Sequence, residues 1–188
     1  FLSENNKIND DWNALNVLSH NASTVGAYDL DILDNETIDN VLSNKFELVF
    51  LFGQDNLNIK KKNEFIVYIG THGDRGAEMA DLILPSAAYT EQDGYYTNLE
   101  GNLQLAFKAS YPPGEAKEDW EIVNELSKKL KGKSLYTNKQ ELIDNLLNYL
   151  NQKTKKNGEK IKNDFIIEEI FFDKIDYYFT NLIARASK

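Results

Sequence analysis

An α/β fold with a mostly parallel sheet flanked by helices is predicted by three features of this 188-residue chain. Leu48-Val49-Phe50-Leu51-Phe52 and Phe65-Ile66-Val67-Tyr68-Ile69 are short, continuous apolar runs, the pattern of strands buried on both faces. The second run leads into glycines at every third position, Gly70, Gly73 and Gly76, then the helix-compatible Ala77-Glu78-Met79-Ala80, then a third apolar run, Leu82-Ile83-Leu84, that stops at Pro85. Strand, glycine loop, helical turn, strand is the grammar of an α/β sheet. Amphipathic segments on either side supply the helices such a sheet needs.

The elements follow in order. Trp12, Leu15, Leu18, Ser19, Ala22, Val25 and Gly26 recur at three- and four-residue steps, which predicts one amphipathic helix over Asp11 to Asp29, capped by Asp10 or Asp11. Leu30 to Asp34 is a connector. Ile38, Val41 and Leu42 predict a short second helix over Glu36 to Ser43. Lys60-Lys61-Lys62-Asn63 is a solvated turn between the first two strands. Tyr95 to Ala109, with Asn98 and Gly101 among Tyr, Thr, Leu and Phe, reads as extended chain with a turn. Pro112-Pro113-Gly114 is a stop. Ile122, Val123, Leu126 and Leu130 mark a helix that Gly132 ends. Thr137-x-x-Gln140 can form a capping box for the next helix, whose stripe is Leu142, Ile143, Leu146, Leu147 and Leu150. Lys153, Lys155 and Lys156 lie past its C-terminus, where positive charge suits the dipole. The predicted organisation is one domain over 1–156, a polar linker over 157–164, and an extended docking tail over 165–188. That tail crowds Phe165, Phe171, Phe172, Tyr177, Tyr178 and Phe179 among acidic residues, too apolar to hang free in water.

Composition narrows the function. A net charge of −9 argues against nucleic acid as a partner. The absence of cysteine removes disulfides, thiol nucleophiles and thiolate ligation of iron–sulfur clusters from this chain. No apolar run approaches the roughly 20 residues of a spanning helix. The chain begins at Phe1 without a signal or transit pattern, which predicts a processed chain or the later part of a larger one.

Few residues suggest chemistry. Gly70-Thr71-His72-Gly73-Asp74-Arg75-Gly76 follows a strand, where doubly wound sheets bind ligands, and glycine N–H groups there can cradle a phosphate. It is neither a dinucleotide fingerprint nor a P-loop, and Asp74 repels an anion. The alternative is a tight crossover. His72 and His20 are too few for a zinc site. Glu91, Asp93 and Glu100 are a carboxylate group in a loop rich in hydroxyls and amides, better suited to structural hydrogen bonds than to acid–base work. Ser86 lacks the glycines of a nucleophile elbow. Asn21-Ala22-Ser23 matches a glycosylation sequon by chance on a helix face.

The stretch Ala80-Asp81-Leu82-Ile83-Leu84-Pro85, followed by Glu91, Gly94, Asn98, Glu100, Gly101 and Gln104, resembles the A-D-x-x-L-P … E-x-x-G-x-x-x-N-x-E-G-R-x-Q signature of molybdopterin oxidoreductases. Gly70 to Ala77 is similar to the G-x-H-G-D-x-G-A loop of one branch, the large (75-kDa) iron–sulfur subunit of respiratory complex I. Leu51-Phe52-Gly53-Gln54-Asp55, Tyr111 to Trp120 and the tail from Asp176 to Ser187, with Arg185, resemble further stretches of that subunit's C-terminal part. Asn102 stands where the signature has Arg, which removes an anion contact. The resemblance implies a partial molybdopterin-oxidoreductase-like domain that scaffolds the peripheral arm and carries no redox centre or catalytic residue. Gly70, Gly73 and Gly76 would be a vestigial cofactor loop. Phe171, Phe172, Tyr177, Tyr178, Phe179 and Arg185 would be the partner interface. Iron–sulfur clusters and FMN would sit in partner chains, above all in the one carrying the N-terminal iron–sulfur half. The place implied is the matrix side of the mitochondrial inner membrane, or the cytoplasmic side of a bacterial one, without a span of its own. A true molybdopterin enzyme, similar to a formate dehydrogenase subunit, is the alternative.

Overall fold

A computed structural model describes residues 18–19, 21–55, 57–153 and 183–184. The elements run α1 (Thr24–Asp29), α2 (Asn35–Leu42), β1 (Leu48–Phe52), β2 (Phe65–Gly70), α3 (Arg75–Met79), β3 (Leu82–Pro85), β4 (Gly94–Thr97), β5 (Leu103–Ala106), α4 (Asp119–Lys131) and α5 (Lys139–Lys153). The predicted linker, the tail interface residues Phe171, Phe172, Tyr177, Tyr178, Phe179 and Arg185, and Trp12, Leu15, His20, Lys155 and Lys156 lie outside the described residues.

β1, β2 and β3 form a parallel sheet in that order, as the three apolar runs predict. The register pairs Leu48 with Phe65, Phe50 with Val67 and Val67 with Leu82. Paired residues of a parallel sheet share a face. One face carries Val49, Leu51, Ile66 and Tyr68, packed with Ile59 and with Val41 of α2 and Ala77 and Met79 of α3. On the other, Val67 and Ile69 meet Ile122 of α4, with Leu84 beside them. The central strand β2 is therefore covered on both faces from Ile66 to Ile69, while Phe65 at its start is exposed. β1 is not covered in this way: Leu48, Phe50 and Phe52 are exposed, against the expectation of burial on both sides. Among the described residues β1 is an edge strand and α4 reaches only the β2–β3 half of that face.

Among the described residues, helix occupies only Thr24–Asp29 of the segment whose periodicity predicts one. It starts at Thr24, with Ser23 as N-cap, and Leu18 and Ser19 are outside it. Asn21 explains the break: its carbonyl accepts from the Ser19 hydroxyl and the Thr24 N–H, a turn that competes with helix. The N-terminus of α5 is capped by Asn138 rather than by the predicted Thr137–Gln140 box. The Asn138 side chain accepts from the Glu141 N–H, and Glu141 accepts from the Thr137 N–H and hydroxyl, so Glu141 takes the role assigned to Gln140. α4 ends as expected, with Gly132 left-handed at φ 72°.

Side chains tie the layers together. Glu118, ahead of α4, accepts from the Trp120 indole N–H and from Lys139 of α5. The Asn124 side-chain Oδ1 accepts from the Leu135 and Tyr136 N–H groups and its Nδ2 donates to the Tyr136 backbone carbonyl, fixing the α4–α5 turn. Lys153, at the end of α5, donates to the Tyr28 and Asp29 carbonyls and pairs with Asp31, so a cation meets the negative end of α1.

Asp81 locks the start of β2. Its carboxylate accepts from the Ile66 N–H at 2.8 Å and its own N–H donates to the Ile66 carbonyl. Lys61 forms an ion pair with it at 2.7 Å. The bonded Lys61 ammonium, then the Ile66 N–H, hold the Asp81 carboxyl below its ordinary pKa. A carboxylate depressed in the folded state gives stability that is present above its unfolded pKa and lost as pH falls through the folded one. Urea midpoints measured from neutral pH down to about pH 2 are expected to fall on the acid limb, and less steeply in Asp81→Asn.

Candidate functional site

The glycine loop leaves the C-terminal end of β2, beside the C-terminal end of β1, the edge where open α/β sheets place ligands. Its interior is filled by one side chain. Tyr68 is fully buried, and its hydroxyl lies 3.2 Å from the Asp55 carboxylate and 3.2 Å from the His72 carbonyl. Asp55, itself buried just beyond β1, accepts from the Gly76 N–H through its other oxygen at 3.3 Å. Tyr68, Asp55, the His72 carbonyl and Gly76 thus form one closed hydrogen-bonded group beneath the loop.

That group accounts for two of the three glycines. A Cβ on Gly70 would lie 2.4 Å from the Tyr68 ring, and one on Gly76 would lie 2.7 Å from the Gln54 carbonyl and 2.8 Å from the same ring. A Cβ on Gly73 meets nothing within 4 Å. Asp74 caps α3 by accepting from the Arg75 N–H, and the Thr71 hydroxyl and His72 Nδ1 are 2.9 Å apart.

This arrangement does not fit the phosphate of a dinucleotide. The buried amide that an anion would seek, Gly76, already faces a carboxylate, and Asp74 places a second one at the mouth. The Tyr68 ring occupies the space under the loop.

The remaining candidates are dispersed and engaged. Glu91 accepts from the Ala88 N–H, Asp93 from the Lys108 N–H and Glu100 from the Asn102 amide, so the three carboxylates serve three local contacts rather than one centre. Ser86 donates to Asp119, whose carboxyl is pushed up by burial. The same segment seats α4: Ala87 N–H donates to the Lys117 carbonyl and Lys117 N–H to the Pro85 carbonyl. Among the described residues no group of His, Cys, Asp and Glu is placed to hold a metal ion, and no helix is long and apolar enough to cross a membrane.

The N-x-E-G-N stretch is a hairpin turn between the antiparallel strands β4 and β5. The Asn98 side chain accepts from the Glu100 and Asn102 N–H groups, Gly101 adopts φ 81°, and Asn102 donates to Glu100. Asn98→Ala removes the acceptor for two amides and is expected to cost about 1 kcal/mol, read as a lowered urea midpoint. Sequence reasoning finds this turn but misses the parts played by Asp55, Tyr68 and Asp81. The available signals are a lone phenol inside an apolar strand and an acid just after another.

Comparison with known proteins places these features in a family. The family model for molybdopterin oxidoreductase matches residues 1–129. An NADH-quinone oxidoreductase subunit of Rickettsia bellii is 42% identical over 97% of this chain and 28% of its own length. The NADH-ubiquinone oxidoreductase 75 kDa subunit of Reclinomonas americana is 38% identical over 94% of this chain, and the mitochondrial 78 kDa subunit of Candida albicans is 37% identical over all of it, each again across 28% of the relative. The chain spans a little over a quarter of the length of the curated relatives it matches. The chain belongs to the molybdopterin oxidoreductase family and is similar to subunits of NADH-quinone and NADH-ubiquinone oxidoreductases.

Proposed function

We propose that this chain is a structural part of the large subunit of respiratory complex I, corresponding to that subunit's C-terminal portion and lying in the peripheral arm. It supports NADH-to-ubiquinone electron transfer within a proton-translocating enzyme and contributes no catalytic residue or redox centre. The observation that supports the reading is the filled glycine loop: Asp55 and Tyr68 form a closed hydrogen-bonded group beneath it. The relatives' names support the complex, and the lack of cysteine supports clusters held elsewhere. FMN and iron–sulfur clusters then belong to partner chains, the nearest being the polypeptide with the N-terminal iron–sulfur half. The site is the matrix face of the mitochondrial inner membrane, or the cytoplasmic face of a bacterial inner membrane. The aromatic tail, with Phe171, Phe172, Tyr177, Tyr178, Phe179 and Arg185, is the partner contact.

The family match itself favours a second reading, a molybdopterin-dependent oxidoreductase similar to a formate dehydrogenase. Capture of the tagged chain from native membranes, with identification of its companions and metal analysis, separates the two. Iron–sulfur and flavoprotein companions without molybdenum are expected. Stoichiometric molybdenum would support the second reading.

A further inference from the structure

We infer that the end of α4 and the turn after it, Lys128 to Leu135, form a docking surface for an acidic peptide segment with apolar anchors, presented by a partner protein. The stretch reads Lys128-Lys129-Leu130-Lys131-Gly132-Lys133-Ser134-Leu135: four cations and no acid, in a chain of net charge −9. Among the described residues none of the four lysines forms an ion pair. Glu125, one turn earlier on α4, is bonded to Lys117 at 2.7 Å and attracts Lys128 and Lys129 only from further off. Between the cations lie Leu130, 74% exposed, and Leu135, 50% exposed. Leu130 continues the stripe of Ile122 and Leu126, but Ile122 packs against β2 whereas Leu130 lies bare. The negative end of α4 accounts for Lys128, Lys129 and Lys131 in its last turn. It accounts neither for Lys133, beyond Gly132, nor for two exposed leucines among like charges.

The surface is fixed in place. Gly132 turns the chain in its left-handed conformation, the Ser127 hydroxyl donates to the Lys133 carbonyl at 3.0 Å, and Asn124 holds the Leu135 and Tyr136 amides. A surface already ordered loses little freedom on binding. The occupant follows from charge and shape. Carboxylates complement the four ammonium groups, and large apolar side chains complement the two leucines. A second copy of the patch would bring like charges together. An anionic bilayer would face the acidic remainder of the chain as well as the patch, whereas a narrow acidic segment meets the patch alone. The patch owes nothing to a place in complex I.

A labelled synthetic peptide of alternating glutamate and leucine, titrated with the full chain and followed by fluorescence anisotropy, tests this. Saturable binding is expected, weakened by added salt and about tenfold tighter than that of a glutamate–serine peptide. Leu130→Ser, and Lys131→Glu combined with Lys133→Glu, are each expected to weaken it by about tenfold or more. Lys60→Glu combined with Lys62→Glu changes the net charge equally, in a basic turn where Ile59 is buried, and is expected to leave binding unchanged. Urea midpoints are expected to stay near wild type, since every altered residue is exposed. No binding by the wild type, equal loss from the two lysine pairs, or undiminished binding by Leu130→Ser would overturn the inference. So would capture by vesicles of phosphatidylcholine and phosphatidylserine without binding of the peptide, which would assign the patch to a membrane. Carbodiimide cross-links from Lys131 or Lys133 to Glu168, Glu169 or Asp173 within the free monomer would overturn it as well, by assigning the patch to this chain's own tail.

Discussion

Gly76→Ala is expected to destabilise the chain by about 1–3 kcal/mol or more, while Gly73→Ala leaves it within about 0.5 kcal/mol of wild type. The two glycines lie three residues apart in one loop, yet their surroundings differ. The added methyl at Gly76 would lie 2.7 Å from a backbone carbonyl, Gln54, and 2.8 Å from the Tyr68 ring. Neither neighbour can give way cheaply, since one is main chain and the other is fully buried. At Gly73 the methyl enters open space. Urea denaturation of both variants checks the contrast. Equal sensitivity at the two positions would mean that Tyr68 is not what requires the glycines.

Tyr68→Ala is expected to be costlier still, about 3–5 kcal/mol, because it opens a cavity in the central strand. It also strips the buried Asp55 carboxylate of the phenol that donates to it. Tyr68→Phe separates the two contributions. It keeps the ring that packs with Val49, Leu51, Ile59 and Ile66 and removes only the hydroxyl between Asp55 and the His72 carbonyl. Its expected cost is about 1–3 kcal/mol. A Phe variant as unstable as the Ala variant would place the energy in the hydrogen-bonded group rather than in packing.

Much of this architecture is legible in the sequence because it rests on local chemistry. The apolar runs at 48, 65 and 82 become β1, β2 and β3, since short unbroken apolar runs bounded by Gly, Pro and Lys have few other solutions. Gly132 ends α4 because the left-handed position after a helix suits it. Asn98 and Gly101 make their turn from side-chain and backbone preferences within five residues. The misses are tertiary or competitive. An apolar stripe through Leu18, Ser19 and Ala22 suggests helix, but the Asn21 turn prevails. The exposed side of β1 is not foreseeable, because burial depends on what lies beside the strand. The glycine loop is visible as a pattern, but its cause is not. Tyr68 comes from within β2, Asp55 from beyond β1 and Gly76 from α3, and only the assembled sheet brings them together.

Membership of an NADH-oxidising assembly is tested most directly by native electrophoresis. Membranes of the source organism are extracted in mild detergent, separated on a native gel and stained for NADH dehydrogenase activity. A structural part of complex I is expected to yield its peptides in the active band together with iron–sulfur subunits. Absence of the chain from that band, or migration alone, would contradict the proposed function.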